Sequence, residues 1–86
     1  MLEGIIERYE DEDFLIANGF DDAIIGVDES SMKLVYSVFK CLEILQGDDM
    51  NFEEAFEFFT YNVSGAYVGE KTPIWCWDFL LKIKIK

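Results

Sequence analysis

The sequence predicts a small α+β domain in which a small antiparallel sheet, made of a β-hairpin and a C-terminal strand, packs against two or three helices. Three observations carry that expectation. Residues 23–27 and 33–36 are apolar runs rich in β-branched residues, and the polar Asp28-Glu29-Ser30-Ser31 lies between them. Two later segments, 38–45 and 52–63, repeat apolar residues at helical spacing. Beyond the single proline, residues 74–86 read as a strand that ends in strict Lys-Ile alternation. With 86 residues the chain has room for one domain, and residues 1–86 are read as a single unit.

The elements follow in order. Leu2, Ile5, Ile6 and Tyr9 fall on one face of a short N-terminal helix, about two turns long, which packing must hold. Glu10-Asp11-Glu12-Asp13 repel one another and predict an exposed turn. Residues 14–17 read equally as a third strand or as the end of the first helix, and Asn18-Gly19 ends them with a turn. Ala23-Ile24-Ile25-Gly26-Val27 and Lys33-Leu34-Val35-Tyr36 then form the hairpin. Ser37 caps a helix whose inner face is Val38, Cys41, Leu42 and Leu45, with Gly47 as the residue that closes it. Asn51 and Glu54 form a capping box, and Glu53 and Glu54 also suit the positive end of the helix dipole. Phe52, Ala55, Phe56, Phe59 and Val63 make that helix's apolar stripe, and Phe58 lies off it.

Residues 62–74 hold two of the six glycines and the only proline. Ala66, Tyr67 and Val68 within them predict a connector packed onto the core, with Tyr67 and Val68 as plugs. Thr72, before Pro73, is pushed out of the helical region. In the segment that follows, lysines along one face suit a protected sheet edge.

Composition narrows the chemistry. Half of the chain is hydrophobic (51%) and 16% is aromatic, more rings than a small core readily holds, so some are expected at the surface as a binding or self-association patch. Eighteen acids against seven bases give a net charge of −11, which repels nucleic acid and anionic membranes and suits a basic partner. The charge is uneven: residues 1–70 carry −14 and residues 71–86 carry +3. No apolar run approaches the roughly 20 residues of a membrane span. No basic leader opens the chain, so no signal peptide is read.

Chemistry-bearing patterns are few. There is no histidine, which removes the usual general base near neutral pH and the commonest metal ligand. Cys41 and Cys76 sit among apolar neighbours and read as buried, reduced thiols, as in a cytosol. Residues 65–72 fail the P-loop pattern, having three residues between the glycines and Glu70 where the lysine should stand. Residues 21–26 fail the EF-hand pattern, because Ala23 and Ile25 occupy ligand places. A casual divalent-cation site among Asp11, Asp13, Asp21 and Asp22 is the remaining metal reading, and no metal or cofactor is assigned. The chain is read as non-enzymatic.

At Gly19-Phe20-Asp21-Asp22-Ala23-Ile24-Ile25-Gly26-Val27, Leu34-Val35-Tyr36-Ser37 and Asn62-Val63-Ser64-Gly65-Ala66-Tyr67-Val68-Gly69-Glu70-Lys71-Thr72-Pro73-Ile74, the chain resembles a group of small acidic proteins encoded by bacteriophage genomes. The resemblance covers roughly residues 14–74, and the segment after Trp75 departs from it. It implies a phage accessory protein in the host bacterial cytoplasm that binds and inhibits a host or anti-phage defence protein with a basic surface. The expected contact residues are Asp11, Glu12, Asp13, Asp21, Asp22, Asp28, Glu29, Asp48, Asp49, Glu53 and Glu57, together with exposed rings. Two alternatives stand beside it. One is a DNA mimic, which needs carboxylates spaced like phosphates, about 3.4 Å apart along one strand, on a single face; Glu53 and Glu57 share a helix face. The other is self-association, as a homodimer or as a virion or assembly component.

Overall fold

The structure is a computed structural model, and it describes residues 1–78. Within these described residues the fold is α+β: three helices pack on a three-stranded sheet of order β1-β2-β3.

Helix α1 (Leu2–Arg8) buries Ile5, and the Tyr9 hydroxyl that follows it donates a hydrogen bond to Glu29. Residues 14–17 are neither strand nor helix. They run irregularly along the core, and the Ala17 N–H donates to the buried Tyr36 hydroxyl oxygen at 2.8 Å. A side chain thus satisfies a backbone group that a ladder would otherwise have taken.

A 3₁₀ turn at Asp21–Ala23 leads into β1 (Ile24–Asp28), which pairs antiparallel with β2 (Lys33–Ser37). The register slips between Ile24 and Gly26, a bulge that leaves Ile25 exposed. The loop is held locally. The Ser30 and Ser31 hydroxyls donate to the Asp28 carboxylate, and Met32 takes the left-handed conformation at φ 55°.

Ser37 ends β2 and caps α2 (Val38–Gly47) without a connecting loop. Its hydroxyl oxygen accepts from the Lys40 N–H at 3.0 Å. The hydroxyl in turn donates to Asp78 at 2.6 Å, and the other Asp78 oxygen accepts from the Phe39 N–H at 3.1 Å. A carboxylate from forty residues away therefore sits on the first turn of α2, where the helix dipole favours it. Hydrogen bonds to a charged group contribute about 1.5–3 kcal/mol each. At its other end the helix includes Gly47 and is capped by Asp48, so the expected closing glycine is the last helical residue. The left-handed position falls two residues later, at Asp49 (φ 74°), whose short polar side chain tolerates it.

Helix α3 (Phe52–Phe59) begins at the predicted capping box: the Glu54 N–H donates to the Asn51 side chain at 2.8 Å, and the Asn51 N–H donates to the Glu54 carboxylate at 2.9 Å. It buries Ala55 and Phe59. The chain then returns to the sheet as β3 (Ile74–Cys76), which lies parallel to β2. The expected hairpin and third strand are both present, but the sheet is mixed. The reason is the crossover through α2 and α3, which brings β3 in beside β2 in the same direction. The predicted Lys-Ile alternation lies outside the described residues.

The core is Ile5, Phe20, Ile24, Leu34, Tyr36, Val38, Cys41, Leu42, Leu45 and Phe59, closed by Ala23 and Ala55. Six rings form a chain from the sheet to α3. Tyr36 meets Trp75 (5.1 Å between ring centroids), Trp75 meets Phe59 (5.3 Å) and Phe59 meets Trp77 (5.7 Å). Trp77 meets Phe56 and Phe56 meets Phe52, both at 6.1 Å. Tilted and edge-on pairs such as these add about 0.5–1.5 kcal/mol each beyond area burial.

Cys41 and Cys76 are both free thiols; Cys41 is fully buried, whereas Cys76 is only half-buried. Burial, with a smaller contribution from the Asp78 charge, pushes the Cys41 thiol from 9.0 up to about 12. Burial also raises the Tyr36 phenol. Both groups are held neutral, with folded pKa values above the unfolded ones. Their contribution to stability is full below about pH 9 and is lost as pH rises toward 12. The melting temperature is therefore expected to fall across that window, and less steeply in Cys41→Ala; equal slopes for the two proteins would contradict the burial of this thiol.

Candidate functional site

The chain leaves α3 by an unusual route. A single turn of π-helix, Thr60–Ser64, continues it. The Thr60 hydroxyl donates back to the Phe56 and Glu57 carbonyls at 2.9 and 3.1 Å, a bond that competes with the regular helical ladder. Gly65 follows for a steric reason. A Cβ there would stand 2.5 Å from the Thr60 carbonyl oxygen, so only glycine closes this turn. Such turns occur mostly as single insertions in helices, often at functional sites.

The end of α3 and this turn present opposite surroundings to their rings. Phe59 points into the core, fully buried, while Tyr61 stands out, 80% exposed. Phe58 is 39% exposed, but Phe52 (48%) and Phe56 (37%), expected on the apolar stripe, are as open, and only Ala55 and Phe59 of that stripe are buried within α3. Phe58 and Tyr61 line a shallow depression with Met50, Asp49, Glu54 and Glu57. Asp49 and Met50 come from the α2–α3 connector, and the other four from α3 and the π-turn. The spacing explains the grouping: Glu54, Glu57, Phe58 and Tyr61 are three or four residues apart and share one face. Three carboxylates thus border two exposed rings and a thioether.

The predicted acids divide by their surroundings. Asp49 and Glu57 lie on this face. Asp48 is exposed in the same connector, and Glu53 is exposed on α3 outside the depression's lining. Asp11 and Asp13 are exposed in the turn after α1, and Asp21 and Asp22 are exposed in the 3₁₀ turn. Three of the acids hold the fold. Asp28 accepts from Ser30 and Ser31, and these bonds lower its pKa from the ordinary value. Glu29 accepts from Tyr9. Glu12 stands 3.5 Å from Lys71, the only ion pair between two described residues. Glu54 and Tyr61 belong to the face although the sequence marks neither as a contact. Glu54 reads as a capping residue, and Tyr61 stands two residues after Phe59, which at about 100° per residue puts it on the opposite side of the helix from that buried ring.

A second concavity, an apolar hollow of about 330 Å³, lies between residues 15–20 and the connector. Leu15, Ile16, Phe20, Val63, Pro73 and Trp75 line it, and among the described residues no titratable group does. The connector itself departs from expectation. Tyr67 is 77% exposed and Val68 56% exposed, so neither plugs the core; Pro73 is the buried residue there. The segment is held by short-range bonds: the Val68 N–H and the Gly69 carbonyl both meet the Thr72 hydroxyl. This local closure leaves the Tyr67 ring facing solvent.

Among the described residues, no three carboxylate or thiol side chains converge on a position that would hold a metal ion. Among the described residues, no helix is long and apolar enough to cross a membrane. Comparison with family models, with curated proteins and with solved structures finds no match to this chain.

Gly65→Ala is expected to lose roughly 1–3 kcal/mol, the range for forcing atoms into a filled space. It is also expected to shift the Tyr61 backbone resonances more than those of β1. A variant as stable as the parent, with Tyr61 unmoved, would mean that the π-turn does not depend on this glycine.

Proposed function

We propose that the protein is a non-enzymatic binding protein which docks on another protein through the face formed by α3, its preceding connector and the π-turn. The observation that carries this reading is the grouping of the exposed Phe58 and Tyr61 with Asp49, Glu54 and Glu57. Aromatic side chains are enriched at interfaces, and tyrosine is among the residues that most often anchor them. Acidity alone serves solubility; acids bordering rings favour a specific, basic partner.

The phage resemblance supplies the biological setting. In that setting the protein acts in the host bacterial cytoplasm and inhibits a host or anti-phage defence protein. The rings distinguish this from nucleic-acid mimicry, which would place its binding energy in phosphate-like charge. A mimic loses its partner as salt screens the charges over a Debye length of about 10 Å at 0.1 M and about 3 Å at 1 M. An interface anchored by rings retains it.

Affinity capture from infected bacterial cells tests this. The parent protein is expected to retain a defined partner at about 0.5 M salt, between those screening limits. The double variant Glu57→Lys, Phe58→Ala is expected to lose it while keeping its melting temperature within a few degrees. Equal capture by parent and variant, or loss of the parent's partner with salt alone, would sink the reading.

A further inference from the structure

We propose that the face on α3 and the π-turn receives an arginine side chain of the partner protein, stacked on the Tyr61 ring and forked onto the carboxylates beside it. The inference rests on the docking reading above and names what the face selects.

The chemistry is set by four features. The Tyr61 ring is 80% exposed and makes no aromatic contact with another described residue, so its face is open to a cation. Glu57 lies four residues before it, one helical turn away, and Asp49 and Glu54 border the same depression. Glu54 keeps one oxygen on the Asn51 N–H, which fixes the carboxylate in place. Phe58 and Met50 line the depression with apolar surface for a side-chain stem.

Arginine matches this set better than lysine. Its planar guanidinium stacks on a ring and donates two parallel hydrogen bonds to a carboxylate in the same pose. It is also more weakly hydrated than an ammonium, so a partly covered site costs it less solvation. The chain's own cations are not placed there by any described contact. Arg8, the one arginine in the sequence, lies over Tyr9 at 5.9 Å, and Lys71 is bonded to Met32 and paired with Glu12. Nucleic acid is excluded as occupant by the sign of the charge.

The test uses the whole 86-residue chain and two probe peptides, hexa-arginine and hexalysine, followed by two-dimensional NMR. Hexa-arginine is expected to bind several-fold more tightly than hexalysine and to perturb residues 49–61 first. Tyr61→Leu, a change at an exposed position, is expected to weaken hexa-arginine about three- to tenfold while leaving hexalysine nearly unchanged. Equal affinity for the two peptides would overturn the proposal, as would perturbations spread over residues 10–13 and 21–22 with no effect of Tyr61→Leu. If capture of the cellular partner still depends on Glu57 and Phe58 while the peptides show no preference for arginine, the docking reading stands and only the arginine assignment fails.

Discussion

Phe59 is the residue on which the arrangement of this domain turns. Its ring meets Trp75 and Trp77 edge-on, and through Trp75 it reaches Tyr36 on the central strand. Helix α3 spans only Phe52–Phe59, too short to persist alone, so packing must supply its stability. Ring contact fixes the rotation of the helix about its axis. Once Phe59 faces inward, residues on the opposite side must face outward, and these are Glu54, Glu57 and Phe58. The chemistry of the outer face is thus a consequence of a core interaction. The Asp78 carboxylate closes the same assembly from the other side by binding Ser37 and the first turn of α2. Trp75, Trp77 and Asp78 are near neighbours in sequence, so one short segment ties β2, α2 and α3 together.

Local chemistry made much of the fold legible. Ser37 and the Asn51–Glu54 pair cap the helices where the sequence says they should, because a cap is decided by a few adjacent residues. The hairpin follows from two β-branched runs and a polar loop. Strand direction is different. Val35, Tyr36 and Ser37 pair with Ile74, Trp75 and Cys76 in a parallel register, and nothing in either tripeptide encodes that. Direction is set by the length and path of the crossover, which is a tertiary property. Tyr67 misleads for a related reason: an apolar ring between two glycines reads as a core plug, yet Thr72 closes that loop on itself and leaves the ring in solvent.

The candidate site was legible in character and not in place. Eighteen acids announce an acidic surface, but composition cannot separate acids that hold the fold from acids that face outward. Asp28, Glu29 and Glu12 are engaged by Ser30, Ser31, Tyr9 and Lys71, and these partners become visible only once the chain is folded. Tyr61 lies two residues beyond Phe59 and so faces away from it, and a π-turn carries the chain on from there. Thr60 and Gly65 make that turn possible, and neither residue on its own predicts it.

The central claim is that one helix buries Phe59 and thereby presents Tyr61 on an open face. Relaxation of aromatic ring protons by a soluble gadolinium chelate, measured by NMR on the full chain, tests it directly. The account predicts that the Tyr61 ring relaxes about as fast as the exposed Tyr67 ring, while Phe59 and Tyr36 remain shielded. A Tyr61 ring as shielded as Phe59 would contradict it.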